Sequence, residues 1–164
     1  MRRVFFVMVL LGVMINAGVY TLADARKEVR EVRENIHSYR VKEQKISNAS
    51  VEATIKFFKD DSGNIRKVVA RINYEGGERE LCRYLYAKDG SLVFSFVKSW
   101  FEYAPKKRCK LVIKSFYGDG KLLIRKRREP RHCKKVSKED LKSMPVMPLK
   151  LDKPKRIVNI VKNL

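Results

Sequence analysis

The chain has 164 residues, room for one domain with an ordinary core, and a formal net charge of +20 with a pI near 10.1. The charge is uneven: residues 104–164 hold +15, residues 26–103 hold +4 and residues 1–25 hold +1. That balance says nothing of fold and favours anionic partners; nothing beyond residue 25 is long and apolar enough to cross a membrane, which excludes a second spanning helix.

The amino end reads as an export signal. Arg2 and Arg3 form a positive start, residues 4–19 are apolar, and Ala23-Asp24-Ala25 has the spacing of a cleavage site. Cleavage is the leading reading of residues 1–25. An uncleaved anchor comes second, because residues 4–23 carry no basic or acidic side chain over a membrane-spanning length. A buried core helix comes last. The first cysteine is Cys82, so no lipid-bearing cysteine follows the apolar run.

Residues 24–45 are expected to form an amphipathic helix. Val29, Val32, Ile36 and Tyr39 recur at spacings of three and four. Lys27 with Glu31 and Arg30 with Glu34 stand at i,i+4 on the polar side. Residues 47–50, Ser-Asn-Ala-Ser, read as a polar linker.

From Val51 the pattern turns to β. Turn signals recur at residues 60–64, at Gly76-Gly77, at Asp89-Gly90 and at residues 118–120, with a longer connection at Pro105 to Arg108. Six strands follow, near 51–59, 65–74, 79–87, 91–101, 109–117 and 121–128. If Gly76-Gly77 closes a two-residue turn, Ile72 opposes Leu81 and Val68 opposes Leu85. Asp89-Gly90 then sets Leu85 against Phe94. One face collects Val68, Ala70, Ile72, Leu81, Leu85, Phe94 and Phe96. The other is mixed: Val69, Arg71, Cys82, Tyr84, Tyr86, Val93, Ser95 and Val97. Aromatic strand, Asp/Gly turn and aliphatic strand recur three times, but with different lengths, so the phrase is hairpin architecture and not a solenoid repeat.

Four segments carry a resemblance: VRENIHSYRVKE (32–43), GNIRKVV (63–69), YLYAKDGSLVF (84–94) with Tyr103 downstream, and KSFYGDGKLLIRK (114–126). Over residues 26–128 the chain resembles a group of small exported or lipid-anchored bacterial proteins with an amino-terminal helix and a β-meander. The resemblance implies that fold and export, and no activity. The cysteines and the basic carboxyl-terminal extension depart from the group's pattern.

The basic residues most suited to an anion are Lys106, Lys107 and Arg108, and Arg125, Lys126, Arg127 and Arg128. If Gly118-Asp119 closes the last hairpin, Cys109 faces Arg128 and both runs share one end of the sheet. The plain alternative is a solvated, charged surface of a heat-adapted protein, consistent with a single glutamine, Gln44. Cys109 and Cys133 are the candidate disulfide, provided residues 129–133 curl back, which Pro130 permits. Cys82 reads as a small buried apolar residue.

Catalysis finds little support. No nucleophile elbow, zinc-protease helix, phosphate loop or dinucleotide fingerprint occurs. His37 falls on the expected helix and His132 in a basic loop, neither at metal-ligand spacing from a cysteine pair. Asp60-Asp61 sits in a turn, where Asp usually caps the reversal. Ser137 with Glu139 and Asp140 looks like a helix start. Pro145, Pro148 and Pro154 point to an extended tail. Residues 156–164 can dock on the domain or bind a partner.

The expectation is an α+β fold: an amino-terminal amphipathic helix packed on a six-stranded antiparallel meander, residues 26–135, with a basic extension at 136–164. No cofactor, metal or catalytic residue is assigned. The expected location is outside the cytoplasm, periplasmic or secreted, or anchored by residues 4–23. Expected partners are anionic polymers or lipid headgroups. The alternative is a protein-interaction module, an inhibitor or assembly factor, that binds an envelope protein through its own aromatic sheet face or tail. Nucleic acid is disfavoured by export, and the oligomeric state is open.

Overall fold

The computed structural model describes residues 19–104, 107–128 and 133, with the side chains of 103–107 excepted. Residues 1–18, Lys106, His132 and the tail from 134 onward, including the expected helix start at Ser137, lie outside the described residues.

Helix α1 spans Leu22–Glu34. Thr21 caps it: its Oγ1 accepts the Asp24 backbone N–H, while the Asp24 carboxylate accepts the Thr21 N–H at 2.8 Å. The Ala-Asp-Ala triplet of the expected cleavage site therefore forms the first turn of α1, with Ala25 fully buried. The helix ends at Asn35, whose backbone and side-chain N–H groups both donate to the Glu31 carbonyl. The expected helix to residue 45 is corrected, because Arg40–Ser47 is strand β1. It lies at an edge of the sheet and buries only Ile46, so its charged residues show no period of two. His37 accordingly falls in the turn after the helix and is exposed. Residues 48–50 form a hairpin turn, not a linker. Asn48 Oδ1 accepts the N–H groups of Ser50 and Val51 at 2.9 and 2.8 Å.

Six further strands follow: β2 Val51–Lys59, β3 Ile65–Tyr74, β4 Arg79–Tyr86, β5 Leu92–Ala104, β6 Lys107–Gly118 and β7 Lys121–Arg128. All seven form one antiparallel sheet in chain order, one strand more than expected. Lys107 and Arg108 belong to β6, with Ala104 paired to Lys107, so the connection at Pro105 is short.

The β3–β4 register differs from expectation by one residue. Tyr74 and Glu78 close a three-residue loop, with Gly77 at φ +81° in its last position. Val68 therefore faces Tyr84 and Ile72 faces Glu80. One slipped residue turns the whole strand over. The next loop also has three residues, but a bulge at Leu85/Tyr86 restores the expected pairing of Leu85 with Phe94.

The two faces are consequently re-sorted. One buries Ile55, Phe57, Val68, Ala70, Ile72, Cys82, Tyr84 and Val97 in a single cluster. The other carries Leu81, Arg83, Leu85, Phe94 and Phe96. There α1 packs on β4, β5 and β6, with Val29 and Val32 against Leu85 and Phe94. Burying side chains of this size stabilises by about 2 kcal/mol each. Arg66, only 2% exposed, ties the helix to the sheet. Its guanidinium reaches Glu28 at 3.3 Å, Glu31 at 3.6 Å and Asp60 at 3.7 Å, and its Nε–H donates to the Tyr86 carbonyl.

Candidate functional site

The face beside α1 carries three cross-strand rows. Val69, Arg83, Phe96, Lys114 and Lys126 form the middle row, from β3 to β7. Toward α1 lies Lys67, Leu85, Phe94, Phe116 and Ile124. On the far side lies Arg71, Leu81, Lys98, Val112 and Arg128. Five strands spaced about 4.8 Å apart make each row about 19 Å long. Side chains at alternate positions stand on the same face, so these rows mix rings and cations.

Two depressions open on this face. The first, about 310 Å³, lies between α1 and the sheet and is lined by Arg33, Lys67, Arg83 and Lys114 around Phe94, Phe96 and Phe116. The second, about 530 Å³, is lined by Lys98, Lys110, Lys114, Lys126, Arg127 and Arg128 around Phe96 and Val112. They share Phe96 and Lys114, so they form one surface. Nine Lys and Arg side chains line it and no Asp or Glu does.

The rings support the cations. Arg83 lies 5.5 Å from the Phe96 ring centre and Lys114 lies 5.9 Å from it, so Phe96 stands between two charges. Lys98 Nζ sits 4.2 Å over the Trp100 ring. Such contacts hold a cation in place without neutralising it. Partial desolvation, then the charges of Lys110 and Arg83, push Lys98 below the usual lysine value. Desolvation, Arg83 and Arg33 do the same to Lys67. Five of the acids are engaged elsewhere: Glu28, Glu31 and Asp60 on Arg66, Glu43 on Lys56, and Glu102 beside Arg108.

Of the basic residues singled out in the sequence, Lys126, Arg127 and Arg128 line this surface. Arg125 points away from it and donates from Nε to Ser115 Oγ at 3.4 Å. Arg108 is 80% exposed, 3.9 Å from Glu102 and outside the lining. Lys106 and the Lys107 side chain lie outside the described residues. The two basic runs do not face one another. The tight turn is Asp119-Gly120, and a bulge at Phe116/Tyr117 adds another step, so Arg128 opposes Val112 and not Cys109. Arg33, Lys67, Arg83, Lys98, Lys110 and Lys114 were missed. Arg33 stands on α1; for the five on strands the signal is alternation with Leu85, Phe96 and Val112, which becomes a surface only once the register is known.

Comparison with known proteins finds no match: no family model, no curated protein and no solved structure. The resemblance to small exported proteins therefore rests on the quoted segments alone.

Other chemistry is sparse. Cys109 and Cys133 form a disulfide with their Cα atoms 5.8 Å apart. Cys82 is fully buried, and burial, with Glu80 nearby, pushes its thiol up to about 12. Asp60 caps its turn through Oδ1, which accepts the Asn64 N–H. Among the described residues, no group of three or more His, Cys, Asp or Glu could hold a metal ion, and no helix is long and apolar enough to cross a membrane.

Proposed function

We propose that the protein is a non-catalytic component of the cell envelope that binds a polyanion across the rows of Arg83, Lys98, Lys114 and Lys126. One observation carries this reading: a continuous surface lined by nine cations and no carboxylate. Cations that crowd one another with no carboxylate in the lining create a field that a bound anion relieves. The shape argues for an extended ligand. Both depressions are open, and the rows run about 19 Å across five strands. Five of the nine are lysines, which act as point charges and suit repeated phosphates or carboxylates better than one fixed bidentate group.

The test is a titration of the full chain with polyphosphate and with polyglutamate, read by the fluorescence of Trp100, which borders Lys98. Binding should weaken steeply between about 0.05 M and about 0.5 M salt. Lys98→Gln with Lys114→Gln and Lys126→Gln should weaken it at least about tenfold, since each lost contact to a charged group is worth about 1 kcal/mol or more. A triple variant that binds both polymers as tightly as the parent would sink the proposal.

A further inference from the structure

We propose that the polyanion is the surface of an anionic lipid bilayer, and that the tip of the β6–β7 hairpin rests in it. This deepens the polyanion reading and depends on it.

Three of the large apolar side chains exposed among the described residues gather at that tip. Val19 is 82% exposed, Leu122 45% and Leu123 38%. The Tyr20 N–H donates to Asp119 Oδ2 at 3.3 Å, which sets Val19 beside the Asp119-Gly120 turn. Tyr20 and Leu123 both close on Gly118, so Leu123 flanks the same corner. Four acids lie near Tyr20 and each is engaged locally: Asp119 by the Tyr20 N–H, Asp24 by the Thr21 cap, Asp89 by the Ser91 N–H and Glu28 by Arg66.

Two further observations point to lipid over a soluble polymer. Residues 4–18 contain no charged side chain and precede Val19, so in the uncleaved chain the sequence next to the tip is apolar. From that tip β7 leads through Lys121 to Lys126 and Arg128, the edge of the cationic rows. Apolar side chains at the headgroup boundary with cations beside them are the two signals that together hold a protein on an anionic membrane. A soluble polyanion has use for the cations and none for exposed Leu122 and Leu123. Lysines on an edge strand also deter edge-to-edge pairing, but that role calls for no apolar tip.

The test uses the full chain with Trp100→Phe and Leu122→Trp, leaving one indole at the tip. The protein is reconstituted into vesicles of phosphatidylcholine, alone or mixed with phosphatidylglycerol, each also prepared with acyl-chain-brominated lipid. If residues 4–18 hold the chain on both vesicles, any difference reports docking of the domain. Expected is bromine quenching in the anionic vesicles at least about twice that in the neutral ones, abolished by high salt and by Lys98→Gln/Lys114→Gln/Lys126→Gln. Quenching that is absent, or equal in the two vesicles, overturns the bilayer proposal. Polyphosphate titration of the same protein then separates the failures. Retained salt-sensitive binding leaves the polyanion reading standing, and its loss removes both.

Discussion

Arg66 of β3 and Glu28 of α1, 38 positions apart in the chain, meet at 3.3 Å. Arg66 is buried while its carboxylate partners keep some exposure, so the ion pair is asymmetric. Replacing Arg66 with Leu strands Glu28 and Asp60 beside an apolar group, with Glu31 still held by Lys88 at 3.0 Å, and should cost about 3 kcal/mol. Glu28→Gln should cost about 1 kcal/mol, since Glu31 and Asp60 remain. Chemical denaturation of the two variants would show that ordering, and equal losses would refute it.

Acid should loosen the same junction. A hydrogen bond from Lys88, then the charges of Lys88 and Arg66, hold the Glu31 carboxyl below its ordinary value of 4.5. A lowered folded-state value gives stability that is complete above the unfolded value and fades as pH falls through the folded one. Melting temperature should be flat from about pH 7 to about pH 5 and drop below about pH 4.5. Glu31→Gln should make that acid limb shallower.

Thiol counting checks the cysteines. The oxidised native protein should react with no aromatic disulfide reagent, because Cys82 is buried and its thiol is held protonated. Reduction should release two fast thiols, and denaturation after reduction should add the third. Cys109→Ser with Cys133→Ser should lower stability by about 3 kcal/mol, the closure entropy of a loop bridging 24 positions.

The cationic face should trade stability for binding. Lys98→Gln removes a charge that Lys110 and Arg83 oppose. Its melting temperature should equal or exceed the parent's while its affinity for polyphosphate falls. Saturating polyphosphate should raise the parent's melting temperature by mass action. A variant that loses both stability and affinity would mean that Lys98 has a structural role.

Two glycines give a matched comparison. A Cβ on Gly118 would run into the Tyr20 ring and Leu123, so Gly118→Ala should cost about 1–3 kcal/mol and speed proteolysis near Tyr20. A Cβ on Gly76 meets nothing within 4 Å, so Gly76→Ala should be close to neutral.

Strands β2 to β7 were readable because apolar residues alternate between Asp/Gly turns. Arg40–Ser47 gave no such pattern, since a solvated edge strand that buries only Ile46 looks like the polar side of a helix. Gly76-Gly77 announced a turn but not its length. Whether Gly77 ends a three-residue loop depends on backbone closure between Tyr74 and Glu78, and that single residue decides the face on which Arg83 stands. For the site, Lys126 to Arg128 was visible as a run. Lys98, Lys110 and Lys114 were not, because they come together only through pairing between strands.

The order of the strands also bears on how the chain folds. Every strand pairs with its neighbour in sequence, so the sheet can zip hairpin by hairpin as the chain is made, with little entropy lost to long loops. Helix α1 is the exception. Beyond the Arg66 ion pairs to β3, its packing lies on β4, β5 and β6, and the Tyr20 N–H waits for Asp119, 99 positions later. The first element to be synthesised is among the last to find its seat. Until β4, β5 and β6 are in place, the apolar side of α1 stays open to chaperones, and a chain stalled before Gly118 would be a ready target for proteolysis.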